Sequence, residues 1–295
     1  MTDAGADFRT FTRQIHLLGT LRADTALRVG AGRSYEVLGD DLMVVKDTLE
    51  RPVIPGSSLK GALRAHAERL LRTLESMTGT ANLACDPLVD PCLSNDKVTE
   101  IKTHSRPDRE LRQRACWACR LFGAPWLASK VFFRDLPVYA DTWFEQFDHR
   151  DGVSIARDKG TAQAKRRYTL ETVPAGTTFE FALIVDGATD AELGLLLLAL
   201  EGLNSGLIQL GGARSRGLGD VSLQMHWGEV KEVVPPQALI ALGERALGQA
   251  LPTTAWSGTQ RDAWIADFFQ AIGLAEDEIA RWQADRHEME DAHDE

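Results

Sequence analysis

From Gln14 to Arg28 the chain alternates. Ile15, Leu17, Gly19 and Leu21 fall between His16, Leu18, Thr20 and Arg22, which is the two-residue period of a half-buried strand. A glycine-containing loop, 29–39, follows, and then a short apolar stretch, Leu42–Val45. Between Val53 and Arg64, Pro55 and Gly56 stop the preceding chain, and Ser57 or Ser58 is expected to cap a helix. Leu59, Leu63, Ala67, Leu70, Leu71 and Leu74 then recur at helical spacing. Further on, Val131–Val138 reads as a short strand, Thr177–Asp186 as a strand, Ala191–Leu203 as an apolar helix and Val221–Trp227 as a last strand.

Two segments interrupt this order. Met77–Arg114 has no period and is rich in Gly, Pro, Asn and Asp, so it reads as an irregular insertion. Tyr139–Gly176 is a second insertion, polar and basic in its latter half. Pro235 and Pro236 mark a boundary, beyond which helices are expected at Gln237–Leu251, Gln260–Leu274 and Glu276–Glu290. Trp264, Phe268, Phe269, Ile272 and Leu274 give that extension an apolar face, expected to pack on the core or meet a neighbouring subunit.

With insertions and tail set aside, the order is strand, helix, strand, strand, helix, strand. That is the split βαβ order of ferredoxin-like and RRM folds. The expected fold class is therefore α+β, with a ferredoxin-like/RRM-like core over residues 8–234. Its insertions fall at about 77–120 and 139–176, and a helical extension with an acidic tail occupies 235–295.

A chain of 295 residues fits one core with sizeable insertions. No run of about 18 apolar residues exists, so no membrane partner is expected. The opening MTDAGADFRT lacks the basic and apolar regions of a signal peptide, and the expected location is cytoplasmic. The net charge of -10 argues at first against a nucleic-acid partner. However, Glu276–Glu295 alone holds nine acidic and two basic residues, most of that excess. Lys97–Arg114 carries six basic and three acidic residues, and Arg150–Arg167 six basic and two acidic.

Two segments have the chemistry of anion sites. Leu210–Gly219 sets four glycines, Gly211, Gly212, Gly217 and Gly219, around Arg214 and Arg216. Bare backbone there lets N–H groups approach a phosphate beside two guanidinium groups. The loop exits into a strand, so it is not a dinucleotide fingerprint. Ile54–Arg64 places Ser57 and Ser58 at a helix N-terminus, whose open N–H groups attract phosphate, with Lys60 and Arg64 four apart. Ser57–Lys60 also matches the SxxK motif of acylating serines, but the companion SDN and KTG motifs are absent.

The cysteines number four: Cys85, Cys92 and the CxxC pair Cys116 and Cys119. Four clustered thiols in a chain with no thioredoxin-like pattern favour structural zinc over disulfides, with His104 as an alternative ligand.

The segments IPGSSLKGALR (54–64) and GGARSRGLG (211–219), in that order, resemble the repeat-associated mysterious protein superfamily of CRISPR systems. The likeness is greatest to backbone subunits of type III effector complexes, and covers about residues 8–228. It implies an RRM-like palm, copies or relatives stacked along a guide CRISPR RNA, sister effector-complex subunits as partners, and a hairpin thumb that kinks the guide–target duplex. Asp151–Tyr168 resembles that thumb. Val153 and Ile155 would then wedge against bases, Arg157, Lys159, Lys165, Arg166 and Arg167 would hold phosphates, and Tyr168 would stack. In cleaving members an aspartate precedes a V-[IV]-K-D run. Asp41, ahead of Val44, Val45, Lys46 and Asp47, fits that position, with Asp40 as an adjacent competitor. The resemblance thus implies Mg²⁺- or Mn²⁺-dependent cleavage of a single-stranded target RNA. A non-cleaving scaffold subunit and a stand-alone guide-processing endoribonuclease are the alternatives. The latter class relies on a histidine, and no histidine sits in this loop.

Overall fold

The computed structural model describes residues 11–32, 42–234 and 254–282, together with positions 240 and 243. It is a mixed α/β structure with antiparallel sheets. Strand β1 (Gln14–Ala23) buries Ile15, Leu17, Gly19, Leu21 and Ala23 and leaves the alternate residues half-covered or exposed, as its period requires. It stops well short of Arg28, the expected limit. The chain then crosses a two-residue strand, β2 (Val53–Ile54), into helix α1 (Gly56–Thr78). Helix α1 buries Leu59, Leu63, Ala67 and Leu71 along one stripe.

The first insertion is more regular than its composition suggests. It forms α2 (Asn95–Ile101), α3 (Pro107–Arg114) and α4 (Trp117–Phe122). Ser94 caps α2 by accepting from the Lys97 amide, and Pro107 opens α3 at the position where a missing N–H costs nothing. The expected strand 131–138 is split into β3 (Val131–Phe133) and β4 (Leu136–Pro137), the latter pairing with β2. The second insertion is a long hairpin, β5 (Asp148–Ile155) with β6 (Ala162–Thr172). Then come β7 (Thr178–Asp186), α5 (Asp190–Asn204), β8 (Val221–Met225) and a short unforeseen strand, β9 (Lys231–Val233).

The main sheet runs β3-β7-β1-β8, every pairing antiparallel, with β9 beside the start of β1. Thr189 and Glu192 form a reciprocal capping box at the start of α5. This helix is apolar nearly all round because it is covered from two sides. One cover is α1. The other is α6 (Gly258–Ala271), which buries Trp264, Ile265 and Phe268 against it. The Trp117 and Phe268 rings meet edge to face at 5.4 Å, so the extension also reaches the first insertion. Residues 276–282 are helical, and the expected helix Gln237–Leu251 lies outside the described residues except at positions 240 and 243, both helical. No described helix is long and apolar enough to cross a membrane.

Candidate nucleic-acid interface

The glycine loop wraps around a single 3-10 turn, Arg214–Arg216. Gly211 has φ +77, and a Cβ there would collide with the Arg28 carbonyl. Only a bare residue allows the approach in which the Gly212 amide donates to Arg28 O at 2.8 Å. Ala213 adopts a left-handed φ of 58, a local strain that turns the following arginines outward. Arg214 is exposed and has no side-chain partner among the described residues. Arg216 is exposed as well, but donates to the Tyr168 hydroxyl from 5.7 Å above that ring's centroid.

Hydrogen bonds extend this loop into a continuous strip. Gly219 N donates to Ala26 O at 3.0 Å, Val45 N to Val29 O at 2.8 Å, and Val53 N to Val45 O at 3.2 Å. Three such steps of about 4.8 Å and one chain step of about 3.8 Å keep Gly212 and Val53 within roughly 18 Å of each other. Three residues past Val53 the chain enters α1, so connected backbone links the two anion segments. Arg28, which the sequence did not single out, sits in the middle. Its Nε donates to Leu42 O at 3.4 Å, its guanidinium lies against Gly30 and Gly212, and burial lowers its pKa.

The start of α1 is less open than its sequence implies. Pro55 occupies the capping position and has no polar side chain to cap with, and neither Ser57 nor Ser58 is the cap. Instead the Gly56 amide donates to Asp135 Oδ1 at 2.8 Å and the Ser58 amide to Pro55 O at 2.9 Å. Ser57 and Ser58 remain exposed. Lys60 and Arg64 share a face, but that face turns inward. Lys60 Nζ donates to Ser129 Oγ at 2.9 Å, and burial, helped by Arg64, lowers its pKa. Arg64 donates to Glu68, to Gly123 O at 2.8 Å and to Cys119 Sγ at 3.6 Å. Burial opposes its charge, but the Glu68 hydrogen bond and the neighbouring negative groups outweigh it and raise its pKa.

Asp40 and Asp41 lie outside the described residues. Leu42, the chain neighbour of Asp41, does not. Its amide donates to Thr169 O at 3.2 Å and its carbonyl accepts from Glu171 N at 3.1 Å, so it is held against β6 at the root of the hairpin. Val153 and Ile155 are exposed on β5, either side of a break in the β5–β6 register, with Arg157 exposed beyond them. Arg167, opposite Val153, is paired with Asp151 at 2.7 Å, both side chains exposed. A pair so open to solvent contributes little and can exchange for a phosphate. Lys165 and Arg166 stand on β6, with side chains outside the described set.

The sulfur atoms of Cys85, Cys92, Cys116 and Cys119 all lie within 4.8 Å of one another. Four thiolates around a zinc ion at about 2.3 Å would be roughly 3.8 Å apart, so the set is compatible with a structural tetrahedral metal site. Hydrogen bonds from the Cys116 and Cys119 thiols pull the Cys92 thiol down to about 4, and the same network pushes Cys119 up. His104 is not part of this group: it bonds Glu110 Oε2 at 2.6 Å on the surface between α2 and α3. The basic run 97–114 is only partly open: Lys97, Lys102, Arg106 and Arg114 are exposed, but not every cation faces solvent. Arg112 is buried, donating to Arg120 O and Ala128 O, while Glu110 holds both His104 and Arg114.

A family model described as the RAMP superfamily matches residues 20–222. Among curated proteins the chain is similar to the CRISPR system Cms endoribonuclease Csm3 of Methanocaldococcus jannaschii, 24% identical over 77% of this chain and 84% of the relative. The protein of the same name from Methanothermobacter thermautotrophicus is 26% identical over 72% of this chain and 85% of its own. That from Streptococcus thermophilus is 26% identical over 73% and 89%.

Proposed function

This chain belongs to the RAMP superfamily, and on that premise we propose that it is a guide RNA-binding backbone subunit of a type III CRISPR complex that also cuts target RNA. The observation carrying the proposal is the meeting of three elements around Arg28. These are the glycine loop with Arg214 and Arg216, the Leu42 segment that follows Asp41, and the root of the β5–β6 hairpin. A sugar–phosphate backbone laid along the strip would receive the Gly211 amide and the Arg214 and Arg216 guanidiniums, with Gly212 and Gly217, whose amides are spent on Arg28 O and Arg214 O, letting it approach the bare backbone. Ser57 and Ser58 would stand at its far end. Val153 and Ile155 would meet bases, and Arg157, Arg167 and their neighbours Lys165 and Arg166 the adjoining phosphates.

The strand order β3-β7-β1-β8 and the two helices between its strands support a ferredoxin-like core over residues 8–234, with 235–295 as an added helical unit. The four-thiol cluster supports zinc as a structural ion that pins the first insertion. Asp41, with Asp40 beside it, is the proposed catalytic carboxylate, and Mg²⁺ or Mn²⁺ its ion. Such an ion would lower the charge on the attacked phosphate. Among the described residues no cluster of carboxylates stands ready to share it. Guide RNA, single-stranded target RNA and sister subunits are the proposed partners, in the cytoplasm.

The test is target cleavage by the complex assembled on guide RNA. Asp41→Ala abolishes cutting and leaves guide and target bound, whereas Asp40→Ala cuts. A wild-type complex that binds target but never cuts it reduces the chain to a scaffold.

A further inference from the structure

Glu171 is a carboxylate with its side chain 5% exposed, set in β6 one residue beyond Leu170. Neither oxygen is idle. Oε2 accepts from the Val44 amide at 3.0 Å, and Oε1 is paired with Lys46 Nζ at 2.8 Å. Lys46 is itself largely buried and lies 4.4 Å from the centroid of the Phe147 ring, so its ammonium has only a narrow choice of positions. The Glu171 backbone acts in the same direction, its amide donating to Leu42 O. One residue thus holds the segment 42–46 at three successive alternate positions.

The opposite edge of that segment is tied as well. Ala31 N donates to Met43 O at 3.0 Å and Val45 N to Val29 O at 2.8 Å. The chain entering and leaving positions 33–41 is therefore fixed at both ends, and at the leaving end the fixture is Glu171. A neutral apolar residue would fill the same space. It would leave a buried amide without a partner and the Lys46 ammonium with only the exposed Glu50 carboxylate, 3.6 Å away, so packing alone does not account for a carboxylate here.

We infer that Glu171 is a positioning residue for RNA cleavage: through Val44 and Lys46 it fixes the segment issuing from Asp41 against the hairpin root. The inference rests on the proposed role of Asp41. Its content is geometric. The same strand carries Tyr168, bonded to the glycine loop through Arg216, and pairs with the strand presenting Val153 and Ile155. Glu171 thereby ties the segment that follows Asp41 to the strand paired with the one carrying Val153 and Ile155. A displacement of the order of 1 Å at a reacting group can cost about 100-fold in rate, with no necessary loss of binding.

The test is single-turnover target cleavage by the guide-loaded complex, with product ends mapped at nucleotide resolution. Glu171→Ala is expected to slow cutting by about 10- to 100-fold and to spread the product ends over neighbouring nucleotides, with target affinity unchanged. Glu171→Gln, which keeps an oxygen for the Val44 amide but turns an NH2 donor toward the Lys46 ammonium, is expected to recover only part of the rate and to narrow the spread of product ends. Lys46→Met keeps the stem over Phe147 and gives an intermediate loss, which serves should Glu171→Ala fail to assemble. Wild-type rate and ends in Glu171→Ala, or a fall in rate that only tracks weaker binding, overturn the inference. A complex that cuts normally with Asp41→Ala overturns the underlying reading instead, and the two failures are distinguished by that variant.

Discussion

The Tyr168 ring lies across Gly152 on the neighbouring strand, so closely that a Cβ on Gly152 would fall within the ring. An aromatic ring over a cross-strand glycine is a known way to cover a bare position in a hairpin. Here it also orients the ring toward Arg216, so the glycine loop and the hairpin are joined through one side chain. Gly152→Ala expels the ring. The expected cost is about 1–3 kcal/mol of stability, the usual range for overpacking, read as a lower thermal midpoint. Tyr168→Phe, which removes only the Arg216 acceptor, changes the midpoint much less.

The Arg214 side chain has no partner among the described residues, and its carbonyl, which accepts from Gly217 N at 3.2 Å, is kept by any substitution. Arg214→Ala therefore leaves the thermal midpoint unchanged while weakening guide RNA binding. The salt dependence should change too. On a single strand, each phosphate deprived of its protein cation makes the slope of log affinity against log salt shallower by about 0.7. Filter binding at several salt concentrations measures it.

Lys130 and Glu192 form a buried ion pair at 2.6 Å, with Arg120 3.4 Å from the other Glu192 oxygen. Burial lowers the Lys130 pKa and Glu192 opposes that shift. Lys130→Met leaves Glu192 short of its closest counter-charge at the start of α5. The expected loss is about 3–5 kcal/mol, measured by denaturant unfolding, with any RNA-binding defect following from unfolding alone.

The cysteine cluster predicts one zinc ion per chain by elemental analysis. Cys116→Ala, or a strong chelator, removes the ion and makes the first insertion susceptible to protease. The main sheet shares one buried core with Cys116 and Cys119, so its thermal midpoint is expected to fall while the melt stays cooperative. Protein purified without chelator and free of metal contradicts this.

Legibility in the sequence follows burial. Strand β1 and helix α1 are readable because each buries one face and exposes another, so their period is written in residue type. The hairpin strands β5 and β6 carry no such pattern. Asp148–Asp151 is exposed throughout and Val153 and Ile155 face solvent, so no alternation marks them. Helices α2 and α3 are hidden by brevity: two turns each, with Val98, Ile101 and Leu111 their few buried apolar residues. Lys60 and Arg64 do share one face, as their spacing implies, but spacing cannot say which way that face points. Here it meets Ser129, Gly123 and Cys119, all far away in sequence. For Asp135 at the start of α1, and for Glu171, no local signal exists at all. Each acts on a segment 79 or 127 residues distant.

The claim on which the rest depends is that RNA runs along the strip joining the glycine loop to the first turn of α1. Ultraviolet cross-linking of the assembled complex, with the attached peptides identified by mass spectrometry, tests it most directly. Guide RNA is predicted to cross-link within 211–217 and within 55–60, and Arg214→Ala with Arg216→Ala to suppress both. Cross-links confined to α6 and the segment beyond it, and indifferent to those arginines, would contradict the account.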